Sequence, residues 1–126
     1  MKTDRQSLER HGERLTAVER YIGQHMDERL DRSVLAALAG FSVPHFHRVF
    51  TAQTGEAIAS YVRRARLRRA AQKLRVGAVD ITEVALAAGY ETHAAFSKAF
   101  KRQFGLSPSE FRRLGFIAAT DIIRKG

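Results

Sequence analysis

The chain repeats itself, and the repeat restricts its fold more than any other feature. Leu35 to Phe41 reads LAALAGF and returns as VALAAGY, Val84 to Tyr90, at an offset of 49 residues. FHRVFTAQTG (Phe46 to Gly55) returns as FSKAFKRQFG (Phe96 to Gly105) at an offset of 50, where Tyr61 also pairs with Phe111 and Arg63 with Arg113. The second copy therefore holds one extra residue between its two matching stretches. A fixed pattern whose insertion is confined to a connection is the mark of a duplicated structural unit.

Each copy reads as helix, turn, helix. Ser33 is placed to cap a short helix through Ala39, its hydroxyl accepting from backbone N–H groups that lack an intrahelical partner. Gly40 supplies the tight turn. Ser42 and Pro44 suit the start of a second helix, because proline in the first turn loses no hydrogen bond, and Gly55 ends it. In the second copy Asp80 with Glu83 resembles a capping box, Gly89 makes the turn and Thr92 caps the following helix. Ser107-Pro108-Ser109-Glu110 combines a capping box with proline at the first helical position, a strong start for a last helix. No segment alternates with period two over a useful length, so no sheet is expected and the fold class is all-α.

Helical periodicity then sorts the faces. At about 100° per residue, Phe46, Val49, Phe50 and Gln53 share one stripe, as do Phe96, Ala99, Phe100 and Gln103. The aromatics are assigned to the core and given no binding role. Opposite them stand Pro44, Arg48, Thr51 and Ala52, with His47 at the margin, and in the second copy Ala94, Lys98, Lys101 and Arg102, with Ser97 at the margin. Either face alone reads as an ordinary solvated surface. Two basic or small-residue faces at equivalent places in a repeat favour the major groove. There Arg or Lys reaches guanine and phosphate, and Ala meets the thymine methyl.

Ala57 to Arg75 is expected to form one helix whose apolar side switches midway. Ile58, Tyr61, Val62 and Ala65 lie on one side; Leu67, Ala70, Ala71 and Leu74 lie about 180° around. Such a helix serves one body with its front half and another with its back half. At about 1.5 Å per residue it spans roughly 28 Å, near the ~34 Å between successive major-groove faces of B-DNA. Arg63, Arg64, Arg66, Arg68, Arg69, Lys73 and Arg75 supply seven cations here with no acid between them. Sequence does not sort phosphate contacts from caps among them.

Charge points the same way. The formal net charge is +9, and its placement is uneven. Residues 1–32 hold seven basic and seven acidic side chains, so residues 33–126 carry the whole excess. A local excess of this kind attracts polyanions through counterion release. An anionic membrane surface would be compatible, but no continuous amphipathic helix with Trp or Phe anchors is present. The absence of cysteine removes disulfides and thiolate metal sites and fits a reducing compartment. No apolar run approaches a membrane span and no signal peptide is read at the start, so a cytoplasmic, nucleoid-associated protein is expected.

These residues resemble the AraC/XylS family of bacterial transcription regulators over roughly Arg14 to Leu114. The most specific stretch is ITEVALAAGYETHAAFSKAFKRQFGLSPSEFR, Ile81 to Arg112; YVRRARLRRAAQKL, Tyr61 to Leu74, resembles the family's linker helix. The resemblance implies about seven helices, with a first helix near Leu15–Leu30 and a terminal one near Pro108–Leu114. It implies a DNA-binding domain over 14–115, made of helix-turn-helix subdomains at 14–56 and 76–115 around a linker helix at 57–75. Residues 1–13 and 116–126 are then flanking tails.

The resemblance also implies double-stranded promoter DNA as partner, with RNA polymerase as the contact through which promoters are regulated. The expected DNA-contacting residues are Pro44, His45, His47, Arg48 and Thr51 in the first unit, and Thr92, His93, Ala94, Ala95, Lys98, Lys101 and Arg102 in the second. Some relatives carry larger polar or aromatic residues at Pro44, Ala94 and Ala95, which shifts the second helix towards methyl contacts and DNA shape. Tyr90, where phenylalanine is more usual, is a tolerated core variation. The chain looks like the stand-alone type or the DNA-binding fragment of a longer regulator. Glu13 to Leu30 resembles relatives that carry a GyrI-like small-molecule-binding domain; an effector is expected only if such a domain exists.

An enzyme is the first rival reading. His45 and His47 stand two apart and diverge on a helix, and His11, His25 and His93 complete no His-Glu-x-x-His motif or phosphate loop. No catalytic residue, cofactor or metal is expected. A non-specific architectural DNA binder or a protein-interaction module is the second rival, since the fold alone does not fix function.

Overall fold

Capping side chains and two turn glycines set where the helices begin and end. The computed structural model describes residues 5–77 and 79–126. Among them are eight helices and no strand: α1 (Arg5–Gln24), α2 (Arg32–Ala39), α3 (Val43–Thr54), α4 (Ile58–Val76), α5 (Ile81–Ala87), α6 (His93–Phe104), α7 (Pro108–Arg112) and α8 (Phe116–Lys125). The all-α expectation holds, with one helix more than the seven implied by resemblance.

Most of the expected caps are in place. Ser42, Thr92 and Ser107 accept from the N–H groups of His45, Ala95 and Glu110, and Ser107 with Glu110 completes the capping box. Gly40 and Gly89 close the two turns at φ +78° and +92°, a region in which a Cβ would be strained. Four ends differ from expectation. The cap of α2 is Asp31, which accepts from Val34 N, so the helix starts ahead of Ser33. Asp80 caps α5 through Thr82 N, not through the backbone of Glu83 as a capping box requires. Helix α1 begins at Arg5, so residues 5–13 of the expected tail are helical, and it stops at Gln24 instead of running to Leu30. There the His25 ring stacks on Tyr21 at 3.8 Å and its Nδ1 hydrogen-bonds the Tyr21 carbonyl at 2.8 Å, satisfying a C-terminal acceptor.

The chain divides into two units, Met1–Arg63 and Arg64–Gly126. In the first, Leu15, Val18 and Ile22 of α1, Leu35, Ala36 and Ala39 of α2, Phe46, Val49 and Phe50 of α3, and Ile58 and Val62 of α4 are all buried. Phe50 meets Phe46 at 5.7 Å and the edge of Tyr61 at 5.4 Å. Gln53, expected on this stripe, is exposed; the stripe ends one turn sooner.

In the second unit the core is Leu67, Ala70, Ala71 and Leu74 of α4, Ile81, Val84 and Ala85 of α5 with the adjoining Ala88, Phe96, Phe100 and Phe104 of α6, and Phe111 of α7. Ala119 and Ile123 of α8 belong to it as well. Residues 116–126, read from sequence as a flanking tail, are therefore helical and contribute to a core. Helix α4 is continuous, and its two apolar sides are buried as the midway switch predicts: Ile58 and Val62 in the first unit, Leu67 to Leu74 in the second.

The structure extends the duplication to a third helix. Arg14, Leu15 and Ile22 of α1 match Arg66, Leu67 and Leu74 of α4 at an offset of 52, and the four leucine and isoleucine side chains are buried. The back half of α4 thus does for α5 and α6 what α1 does for α2 and α3.

Candidate nucleic-acid interface

Each unit presents one outward face on the second helix of its helix-turn-helix. On α3 the buried Phe46, Val49 and Phe50 fix the rotation of the helix, so Pro44, His47, Arg48, Thr51 and Ala52 are exposed. His45 stands apart from the others. It is half-buried, its ring 4.8 Å from Phe41 and 6.0 Å from His11, and it buttresses the first turn of α3 more than it faces outward.

On α6 the same logic applies. Phe96, Phe100 and Phe104 are buried, and His93, Ala94, Ala95, Lys98, Lys101 and Arg102 are exposed. Thr92 is exposed too, but its hydroxyl accepts from Ala95 N at 3.0 Å and is committed to the cap. Ser97 lies 3.4 Å from His93 Nδ1, a contact between neighbours one turn apart that restrains the imidazole. Gln103 donates to the carbonyl of Arg64 at 3.2 Å and ties α6 to α4 within the second unit. No carboxylate among the described residues forms an ion pair with Arg48, Lys98, Lys101 or Arg102. These cations are open to an external anion.

The cations of α4 separate by partner. Arg69 donates to the Ala87 carbonyl at 3.1 Å, and Arg75 donates to Thr120 Oγ1 at 3.0 Å while lying 4.4 Å over the Phe116 ring. Both brace the second unit. Arg63 donates to Ser60 Oγ at 3.2 Å and remains exposed, as do Arg68 and Lys73. Arg112 of α7 likewise takes a structural part, donating to the Val79 carbonyl at 2.7 Å.

The structure brings two cations to the turns: Arg14, which sequence reasoning missed, and Arg66, which it counted among the seven linker cations without placing it. Arg14 Nη1 lies 4.0 Å from the point where a Cβ on Gly40 would stand, and Arg66 Nη1 lies 3.9 Å from the same point on Gly89. The 52-residue offset was the signal that would have paired them. Among the described residues no group of three or more His, Cys, Asp or Glu side chains is gathered to hold a metal, and no helix is long and apolar enough to cross a membrane.

Comparison with known proteins agrees with this geometry. A family model described as a helix-turn-helix domain matches residues 35–114. A Chromobacterium violaceum transcriptional regulator described as AraC-type superimposes with a TM-score of 0.76 at 27% identity, covering 80% of this chain and 90% of that one. The chain belongs to the AraC/XylS family. Among relatives of this AraC/XylS domain, the regulatory protein SoxS of Escherichia coli is 35% identical over 92 residues, which is 73% of this chain and 86% of SoxS. The right origin-binding protein of Escherichia coli is 39% identical over 93 residues, 74% of this chain. The match spans 32% of that protein's own length. The DNA-binding domain of AdpA, solved in complex with a target DNA, superimposes with a TM-score of 0.70 at 29% identity over 89% of this chain and 97% of its own.

Proposed function

We propose that this AraC/XylS DNA-binding domain acts as a sequence-specific transcription regulator, placing α3 and α6 in successive major-groove segments of one promoter duplex. The observation that carries this reading is the pair of outward faces on equivalent helices of a duplicated unit. Each is held by three buried side chains and presents cations that form no ion pair among the described residues. A helix so placed enters the major groove with its N-terminal residues towards base edges. His47 and Arg48 of α3 and Lys98 of α6 supply donors for guanine N7 and O6; Pro44, Ala94 and Ala95 offer apolar contact to thymine methyls. Lys101 and Arg102, further along α6, suit phosphate. Thr92 and His45 support the surface by capping and packing.

RNA polymerase is the partner through which a promoter-bound regulator of this kind acts. Selection of bound duplexes from a random pool tests the reading. Enriched sites should contain two short preferred segments about one helical turn, roughly 10 base pairs, apart. A pool that never enriches, bound with strongly salt-sensitive affinity, would instead indicate a non-specific architectural binder.

A further inference from the structure

The arginines at the two turns have no part in the reading above, although they occupy matching places in the duplication. We infer that Arg14 and Arg66 are paired backbone contacts, each gripping a phosphodiester oxygen beside the groove entered by its own unit's recognition helix. The inference rests on the proposed DNA reading and adds a ligand for two side chains outside both recognition helices.

In the first unit the Arg14 guanidinium lies 5.1 Å over the Phe41 ring, and Phe41 in turn lies 4.8 Å from the His45 ring in the first turn of α3. The cation is thereby linked through one aromatic ring to the first turn of α3, the helix end proposed to enter the groove. The major groove is about 12 Å wide, so a cation beside an inserted helix end, and not on its outward face, has the sugar-phosphate wall as its nearest duplex group. Arg14 is exposed and forms no ion pair among the described residues. Ring stacking orders the guanidinium while leaving its N–H groups free, the arrangement in which arginine binds a phosphate through two donors.

In the second unit Arg66 Nη1 lies 3.9 Å from where a Cβ on Gly89 would stand, as Arg14 Nη1 lies 4.0 Å from that point on Gly40. The two arginines come from different helices, α1 and α4, yet reach the same place in each repeat. Each unit therefore carries an arginine beside the turn that leads into its recognition helix, as two equivalent duplex contacts require.

The salt dependence of duplex binding tests the inference with the full chain and variants Arg14→Ala, Arg14→Lys and Arg66→Gln. Each neutral variant should flatten the slope of log binding constant against log salt by about 0.9, so that a fourfold rise in salt costs it about threefold less than wild type. The weakening should be equal on a selected and a random duplex, and Arg14→Lys should recover most of the slope. A wild-type slope in Arg14→Ala overturns the inference, as does a loss confined to the selected duplex. Should Arg66→Gln fail to fold, the exposed Arg14 carries the test alone. Wild-type protein that binds no duplex overturns the DNA reading itself, a result distinct from unchanged variants.

Discussion

Arg69 donates to the carbonyl oxygen of Ala87 at 3.1 Å, so a cation of the linker helix closes the C-terminal end of α5. A positive group there satisfies an acceptor that lacks an intrahelical donor and opposes the negative end of the helix. Arg69→Ala should lower unfolding stability by about 0.5–1.5 kcal/mol in urea titration. The salt slope of DNA binding should stay at its wild-type value. A flattened slope with unchanged stability would reassign Arg69 to phosphate.

Helix α8 makes a second prediction. Ile123 is 4% exposed in the core of the second unit, whereas Ile117 on the same helix is 85% exposed. Ile123→Ala should cost about 2–4 kcal/mol, from lost burial and the cavity left behind. Ile117→Ala should change stability by less than about 0.5 kcal/mol. Equal effects in thermal or urea unfolding would remove α8 from the core.

The start of α7 responds to acid. The Glu110 carboxyl is held below its usual range, chiefly by the Ser107 backbone N–H at 2.8 Å and then by the Ser107 side chain. A carboxyl lowered on folding stabilises fully above its unfolded value, about 4.3, and loses that contribution as pH falls through the lower folded value. Wild type should therefore exceed Glu110→Gln in urea midpoint at neutral pH, and the gap should close on acidification to about pH 3. A gap of constant size would show that the carboxylate charge is not what holds the cap.

Lys101 is exposed towards the end of α6, away from the helix end proposed to meet base edges. Lys101→Ala should weaken binding to selected and random duplexes alike and flatten the salt slope by about one unit. Loss of preference at a single base pair would make it a base reader instead.

Much of this architecture is legible in the sequence because short-range rules dictate it. Ser42, Thr92 and Ser107 cap where oxygen side chains precede apolar runs, and Phe46, Phe50, Phe96 and Phe100 fix helix rotation by their spacing. The switch in α4 is visible for the same reason. Other features depend on choices between near neighbours or on distant partners. Asp31 and Ser33 are both good caps two residues apart, and sequence does not say which one the chain uses. Gln53 and Gln103 hold the same stripe position, yet only Gln103 has the Arg64 carbonyl within reach in its own unit. The match of α1 to the back half of α4 is blurred because Val18 and Glu19 are replaced by Ala70 and Ala71. That dilution hid the equivalence of Arg14 and Arg66. Helix α8 carries an apolar spacing of its own, Phe116, Ala119 and Ile123, but lies beyond the repeated pattern.

The most direct test of the whole account is a base-by-base affinity profile of the selected duplex for wild type, Arg48→Ala and Lys98→Ala. Each variant should lose about 1–3 kcal/mol and relax preference within one segment only, with the two affected segments about a helical turn apart. Uniform losses that leave both profiles unchanged would contradict readout by α3 and α6.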